Sequence, residues 1–378
     1  MASQFIGWYL MGCPHGIIRI MNFTLFGYPK TGKTTLFNLL TGARIEVKSY
    51  DQGKKEPNAR TCPVPDERLD KLSQLFPEKE KISAQMDYID LAGVSYGGIK
   101  NESYLDYLRK ADGLTHVVRG FENIEVPHHR EKIDAAFDIK SIEEEIILAD
   151  LLSVENRLGR LEKELEKTKS PEGIKEKEIL ERIKETLEKG VSVRQLSLKP
   201  AEEKIIRNFA FLSQKPLLHM INVDEQDIML IKEPEKIYSS EEKGTCVLAF
   251  CGKIESEILE LEGEDRNTFM KEYGLEEFSI SRFLKSSYKL MDVITFFTVG
   301  KEEVKSWALK RNSTALQAAG KIHTDIEKGF IRAEVIQWDA LLAQGSFQEA
   351  RKTGSIRLEG KEYLVQDGDV LYFRHSQS

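Results

Sequence analysis

The chain has 378 residues, of which 40% are hydrophobic and 31% are charged, and its formal net charge is −7 at pH 7. This length allows two or three domains, each with its own core. The net charge argues against a protein that coats nucleic acid through bulk charge, and no apolar run is long enough to span a membrane. The four cysteines form no C-x-x-C pair and no metal-binding spacing with histidine, so we expect a reducing, cytoplasmic location without a zinc site or disulfide framework.

The first apolar run, Asn22 to Phe26, predicts a strand that ends at a glycine-bearing turn. The octet Gly27 to Thr34 reads G-Y-P-K-T-G-K-T and fits the phosphate-binding template G-x-x-x-x-G-K-[ST]. A helix that begins there would aim backbone N–H groups at a phosphate chain, with Lys33 reaching the β and γ phosphates and Thr34 holding Mg²⁺. A glycine turn with no ligand is the alternative. The candidate residues are Gly27, Tyr28, Pro29, Lys30, Thr31, Gly32, Lys33, Thr34 and Thr35.

A D-x-x-G motif, Asp90 to Gly93, follows a short apolar run that predicts the next strand. Its aspartate can hold Mg²⁺ through water, and the N–H of Gly93 can sense a γ-phosphate. Val94 stands where Ras-like enzymes place a water-orienting glutamine, and an aliphatic side chain cannot orient water. The sequence therefore predicts nucleotide binding more firmly than hydrolysis.

The segment from Ser141 to Gly190 departs from the alternation of strands and helices. Its apolar residues are spaced four and three apart, as in the seam of a coiled coil, and Glu, Lys and Arg fill the positions between them. A turn at 169–173 separates this stripe from a shorter return stripe. We predict an antiparallel helical hairpin, which is either a solvated pair or an arm that touches a large partner. The seam residues are Ile147, Leu151, Val154, Leu158, Leu161 and Leu165.

The loop Asn222 to Glu225 follows another strand-like run and stands where guanine-specific switches carry N-K-x-D. In those proteins a short carboxylate accepts the N1–H and N2–H₂ donors of guanine, whereas adenine presents N6–H₂ beside an acceptor. Glutamate in place of aspartate and valine in place of lysine weaken that recognition, so adenine is the predicted base. The candidate base-binding residues are Asn222, Val223, Glu225, Cys251 and Gly252, the last two through their backbone N–H groups.

Strand-like runs at 114–118, 217–221 and 246–250 alternate with helical patterns. Nearly continuous apolar strands are typical of a parallel sheet covered on both faces, with ligand loops at the carboxyl ends of the strands. The predicted fold class is therefore α/β, a P-loop NTPase with a mostly parallel, doubly wound sheet. Beyond Phe278, four strand-like runs and the helical pattern Ala315 to His323 predict a small mixed sheet with one helix.

The chain resembles the YchF family of Obg-like ATPases from about Met21 to Arg374. The resemblance rests on the N-x-x-E base motif, the coiled-coil insert before it, and the stretches 318–325, 327–333 and 366–370, which are similar to that family's TGS domain. It implies ATP preferred over GTP, slow hydrolysis, a β-grasp-like TGS domain, and contacts of this domain and the arm with the ribosome, tRNA or other RNA. A monomer with no membrane partner is expected.

The expected domain order follows from these features. Residues 1–20 lack the basic start of a signal peptide and are interpreted as an N-terminal extension. Residues 21–140 and 200–282 are predicted to form the nucleotide-binding domain, residues 141–199 the helical insertion, and residues 283–378 the TGS-like domain.

Three further positions of the nucleotide site are interpreted by comparison with the family. Lys30 replaces an asparagine that helps to hold a monovalent cation in related switches, so its ammonium is predicted to supply that charge. Lys54 aligns with the family's switch-one threonine, and lysine cannot ligate Mg²⁺. His128 matches a loop histidine of the relatives and is predicted to position the attacking water, with a surface histidine as the alternative. The predicted catalytic residues are Lys33, Thr34, Asp90, Gly93 and His128, and the predicted metal ligands are Thr34 and Asp90.

These residues admit three functions. The first is a slow Mg²⁺-dependent ATPase whose nucleotide states present different surfaces to a ribosomal partner. The second is a nucleotide-binding module with impaired hydrolysis that contacts ribosome or RNA, and preference for GTP is the alternative in base choice. The third, a small-molecule kinase, is disfavoured by the N-x-x-E motif and by the C-terminal sheet.

Overall fold

The computed structural model describes three parts of the chain, residues 21–45, 57–123 and 132–376. The strands are β1 (Met21–Phe26), β2 (Asn58–Pro63), β3 (Glu80–Ile82), β4 (Gln85–Asp90), β5 (Gly113–Gly120), β6 (Leu217–Val223), β7 (Thr245–Phe250), β8 (Val293–Val299), β9 (Glu303–Lys310), β10 (Phe330–Gln337), β11 (Arg357–Glu359) and β12 (Asp369–His375). The α-helices are α1 (Lys33–Thr41), α2 (Glu67–Leu75), α3 (Glu102–Lys110), α4 (Ala135–Lys167), α5 (Pro171–Glu188), α6 (Pro200–Ile206), α7 (Gly252–Glu260), α8 (Gly263–Glu272), α9 (Ser279–Leu290), α10 (Ala315–Ile322), α11 (Thr324–Lys328), α12 (Trp338–Gln344) and α13 (Phe347–Lys352).

The first of two compact units contains residues 22–60 and 88–290 and holds the nucleotide motifs. Its sheet has the strand order β2-β4-β1-β5-β6-β7, and β1, β5, β6 and β7 pair in parallel. Phe26 lies in an apolar cluster with residues of α3 and α4, whereas Phe23 packs against Phe283 of α9. Because neighbouring side chains of a strand alternate between the two faces, helices cover both sides of the sheet. The predicted α/β P-loop fold with a parallel, doubly wound sheet is confirmed.

Helix α9 belongs to this first unit, although the predicted boundary at 283 divides it. The Phe283 ring lies 5.8 Å from the ring of Phe23, centroid to centroid. The hydroxyl of Ser279 donates to the buried carboxylate of Glu255 at 2.5 Å. These buried contacts fix α9 to β1 and to α7 of the nucleotide-binding unit.

The second unit combines residues 61–87 with residues 291–378. Its mixed sheet has the order β11-β10-β12-β8-β9-β3, and the short β3 pairs in parallel with β9. Leu69 and Leu72 of α2 are buried in one apolar cluster with Phe297 and Val304. Helix α2 and strand β3, which the sequence predicts to lie in the nucleotide-binding domain, therefore complete the C-terminal sheet and its core.

The expectation of a single helix in the C-terminal sheet is incomplete. Helix α10 matches the predicted pattern, but α11, α12 and α13 are also present, and α2 joins them. The added helices are five to nine residues long. Helices α11, α12 and α13, of five to seven residues, carry too few apolar residues to display a helical period in the sequence.

Helices α4 and α5 form the predicted antiparallel hairpin, called the arm below. Arg157 Nε donates to Glu176 Oε1 at 2.7 Å, and Lys184 pairs with Glu155 at 3.3 Å, so residues far apart in the chain lie side by side. Helix α4 begins at Ala135, before the predicted start at 141, and its first turns are buried in the nucleotide-binding unit. Among the described residues, no helix is both long and apolar enough to cross a membrane.

Candidate functional site

The phosphate-binding loop lies between β1 and α1, as the octet predicts. Lys33 is the first residue of α1, its side chain is buried, and its Nζ donates to the carbonyl of Tyr28 at 2.6 Å. The hydroxyl of Thr31 donates to the same carbonyl at 3.3 Å. The exposed Lys30 adopts a φ of 63°, a region that few side chains occupy. The loop thus folds back over the Lys33 side chain at a helix N-terminus, a geometry suited to binding phosphate.

Two glycines of the motifs are required by close contacts. A Cβ on Gly32, which has a φ of 98°, would lie 2.3 Å from Nδ2 of Asn222. A Cβ on Gly93 would lie 2.6 Å from Cα of Pro29 in the phosphate-binding loop. Any side chain at these positions would push the three motifs apart.

Thr34 and Asp90 provide the oxygen atoms of the predicted metal site. The Thr34 hydroxyl donates to Oδ2 of Asp90 at 2.9 Å, and Nδ2 of Asn58 approaches the same oxygen at 3.4 Å. The N–H of Val94 donates to the carbonyl of Gly27 at 3.1 Å, which keeps the D-x-x-G loop against the phosphate-binding loop. A hydroxyl and a carboxylate are the hard oxygen donors that Mg²⁺ prefers. The residues present fit this ion.

Asn222 joins the base loop to the rest of the site. Its Nδ2 donates to the carbonyl of Thr31 at 3.2 Å, and its Oδ1 accepts from the N–H of Gly252 at 3.0 Å. A Cβ on Gly252 would lie 3.0 Å from Cγ2 of Thr35, so the first turn of α7 packs against the first turn of α1. The phosphate-binding loop, the base loop and the start of α7 are therefore in direct contact with one another.

The predicted base-binding residues divide into two groups. The Glu225 carboxylate pairs with the ammonium of Lys253, and both side chains are substantially exposed. The side chains of Val223 and Cys251 instead lie in a buried apolar cluster with Ile254, and burial raises the pKa of the Cys251 thiol. These two side chains are therefore turned into the apolar core, so any contact with the base would come from their backbone.

Two residues singled out from the sequence, Lys54 and His128, lie outside the described residues, and their roles stay predictions. Val94 is buried and aliphatic, so the position that follows D-x-x-G offers no hydrogen bond to water. Within the described residues, the candidate phosphate-binding side chains are therefore better defined than any group that could activate water.

Sequence reasoning missed a histidine pair beneath the phosphate-binding loop. His116 and His219 lie opposite each other on β5 and β6, are fully buried, and have their Nδ1 atoms 3.1 Å apart. His219 Nε2 lies 3.2 Å from Oε1 of Glu143, and in the tautomer that donates to this carboxylate Nδ1 accepts from His116. Burial holds the pKa of His116 well below its usual value, and His219 and Lys33 lower it further. Each histidine is the third residue of its apolar run, which is the signal that could have paired them.

Known proteins resemble the chain along nearly all of its length. A family model for a 50S ribosome-binding GTPase matches residues 22–171, and a C-terminal YchF GTPase model, described as a protein of unknown function, matches residues 293–376. Ribosome-binding ATPase YchF of Bacillus subtilis is 38% identical over 359 residues, which are 93% of this chain and 98% of that protein. The protein of the same name from Haemophilus ducreyi is 39% identical over 355 residues, again 93% and 98% of the two chains.

The fold is also that of a solved relative. The structure of the Schizosaccharomyces pombe YchF GTPase is similar with a TM-score of 0.81 and 25% sequence identity, over 96% of this chain and 99% of that one. Sequence identity and fold therefore agree on one assignment. The chain belongs to the YchF family.

Proposed function

We propose that the chain binds ATP in preference to GTP and hydrolyses it slowly to ADP with the help of Mg²⁺. The observation that carries the proposal is the contact between Asn222 and Gly32, through which the base loop meets the phosphate-binding loop with no space left for a side chain. With D-x-x-G packed against the same loop, these elements form one continuous nucleotide site. The two bacterial relatives are named as ATPases, which supports the same reading.

Each phosphate-binding residue has a definable part in this reaction. Lys33 would stabilise the charge that develops on the β and γ phosphates, and the N–H of Gly93 would face the γ-phosphate. Thr34 would ligate Mg²⁺ directly, while Asp90 would hold one of its waters. When bound, Mg²⁺ would neutralise phosphate oxygens. Positioning of the attacking water is assigned to His128, because the aliphatic Val94 cannot do it.

The ion pair of Glu225 favours adenine over guanine. Guanine recognition requires a carboxylate that is free to accept two donors at once, and Lys253 already occupies one oxygen of this carboxylate. Adenine needs only one acceptor for N6–H₂, which the second oxygen or a backbone carbonyl can supply. The pair therefore penalises GTP more than ATP.

We infer that the partner is the ribosome and that the arm takes part in the contact. Both bacterial relatives are ribosome-binding proteins by name. On the arm, Leu148, Leu152 and Ile174 are between 38% and 43% exposed, among many charged side chains. Contacts with tRNA or other RNA, a monomeric state and a cytoplasmic location remain predictions.

Calorimetric titration of the full chain with ATP, GTP, ADP and GDP tests occupancy and base choice together. We expect micromolar binding of adenine nucleotides with weaker binding of guanine nucleotides. Single-turnover hydrolysis with and without ribosomes tests the enzyme. An absence of nucleotide binding would overturn the proposal.

A hydrolysis-impaired binding module is the second candidate, and Lys54, which stands where the family has its switch-one threonine, favours it. It predicts normal binding with no turnover even when ribosomes are present. The same single-turnover experiment therefore separates the two functions.

A further inference from the structure

Glu145 of α4 connects the two loops that surround the predicted phosphates. Its carboxylate is buried and accepts the Tyr28 hydroxyl at 3.4 Å and the backbone N–H of Gly97 at 2.8 Å on Oε1. Its Oε2 accepts the N–H of Ile99 at 3.3 Å. Tyr28 belongs to the phosphate-binding loop, whereas Gly97 and Ile99 follow D-x-x-G. One side chain therefore joins both loops to a single helix.

The chemistry of this junction makes it selective for a carboxylate. Burial and the nearby carboxylates of Glu145 and Asp138 raise the pKa of Tyr28, so its hydroxyl remains a donor. All three groups that face Glu145 are thus donors, and an ionised carboxylate offers only acceptors. A glutamine amide would turn an NH₂ group toward at least one N–H and leave that donor unpaired in the interior.

Helix α4 continues without interruption from this junction to the far end of the arm at Lys167. Farther along, the buried carboxylate of Asp150 accepts the N–H groups of Leu212 at 3.0 Å and Ser213 at 2.7 Å, which fixes the helix to the segment before β6. Glu145 lies about 7.5 Å before this anchor and Lys167 about 25 Å beyond it along the helix axis. A displacement at Glu145 would thus be enlarged at the far end of the arm.

We propose that Glu145 is a positioning residue that couples the loop after D-x-x-G to the arm, so that the arm responds to the presence of a γ-phosphate. The inference rests on the proposed function, because it requires triphosphate and diphosphate to occupy the site. The loop after D-x-x-G is the segment that reorders around a γ-phosphate in switch proteins. Glu145 holds two of its N–H groups, so that reordering reaches α4 directly.

The test compares hydrogen exchange of residues 151–188 in the full chain with Mg²⁺ and either a non-hydrolysable ATP analogue or ADP. We expect exchange rates in the arm to differ about tenfold between the two nucleotides in the wild type, and less than about twofold in Glu145→Gln. Tyr28→Phe, which removes one of three donors, should give an intermediate difference. Glu144→Gln makes the same chemical change at the exposed neighbouring residue and should behave as wild type.

Steady-state kinetics provide a readout that a loss of folding would not mimic. Glu145→Gln should lower kcat about tenfold while KM and the affinity for ADP change less than about threefold, because the phosphate-binding loop still binds but the loop bearing Gly93 is no longer held. A nucleotide-dependent difference that persists in Glu145→Gln would overturn the inference. So would a wild type that binds both nucleotides, as calorimetry would show, yet has identical exchange in the arm. Failure of the wild type to bind nucleotide would instead overturn the proposed function.

Discussion

The phosphate end and the base end of the nucleotide site are held by different kinds of contact. At the phosphate end, Lys33 and Asp90 are buried, and hydrogen bonds of 2.6 and 2.9 Å fix Lys33 and Thr34. At the base end, the ion pair of Glu225 and Lys253 has side chains 38% and 63% exposed. Packing fixes buried contacts, whereas exposed ion pairs rearrange at little cost. The fold therefore holds the predicted phosphate-binding residues in place, and we infer that the two surface side chains adjust the choice of base.

The largest expected effect tests the phosphate end. Lys33→Ala removes the buried ammonium and should weaken ATP and ADP binding by about 100-fold or more, which is about 2.7 kcal/mol. Titration calorimetry with both nucleotides measures the loss. Lys140→Ala removes the same charge from the exposed surface of α4 and should bind normally. Retained micromolar affinity in Lys33→Ala would show that the loop does not hold the phosphates.

A smaller effect concerns the buried layer under the phosphate-binding loop. The pKa of His116 is low in the folded chain, so below about pH 6.5 the unfolded chain binds a proton that the folded chain does not. This residue therefore contributes stability above that pH and loses it as the pH falls, by up to about 1.4 kcal/mol per pH unit. His116→Asn should show a shallower decline of the free energy of unfolding between pH 7 and 5.

Urea unfolding of the wild type and His116→Asn at each pH measures these slopes. His323→Asn removes an exposed histidine and serves as the matched change. Parallel declines for the wild type and His116→Asn would mean that His116 titrates alike in the folded and unfolded chain.

The smallest effect tests the base end. Lys253→Ala should release the carboxylate of Glu225 to accept both donors of guanine, and GTP affinity should rise about three- to fivefold with little change for ATP. Competition of GTP against a fluorescent adenine nucleotide measures the ratio. Lys232→Ala breaks another exposed ion pair of the same unit and should leave the ratio unchanged. An unaltered ratio in Lys253→Ala would assign base recognition to the backbone.

The sequence predicted features formed by contiguous residues but not contacts between residues that are distant in the chain. The phosphate-binding octet and the apolar strands are contiguous, so periodicity and motif spacing were sufficient to predict them. The His116–His219 pair requires the register between β5 and β6, and the Glu145 junction requires the orientation of α4 relative to two loops. Neither the strand register nor the helix orientation can be predicted from residues that are adjacent in the sequence. The three-residue β3 was missed because a strand that short carries no alternation.

The second unit is built from two segments that are far apart in the chain, so a simple truncation cannot remove it cleanly. A fragment that starts at 291 would lack β3 and α2, leaving β9 as an open edge and uncovering Phe297 and Val304. A chain that stops at 290 would keep α2 with Leu69 and Leu72 stripped of their cover. Both pieces should self-associate through the open strand edge or the uncovered apolar side chains. A loss of ribosome binding by either piece would then reflect aggregation. An informative excision must remove α2, β3 and the chain from residue 291 onward together but keep β2 and β4 in the nucleotide-binding sheet, with a short linker from residue 63 to residue 85.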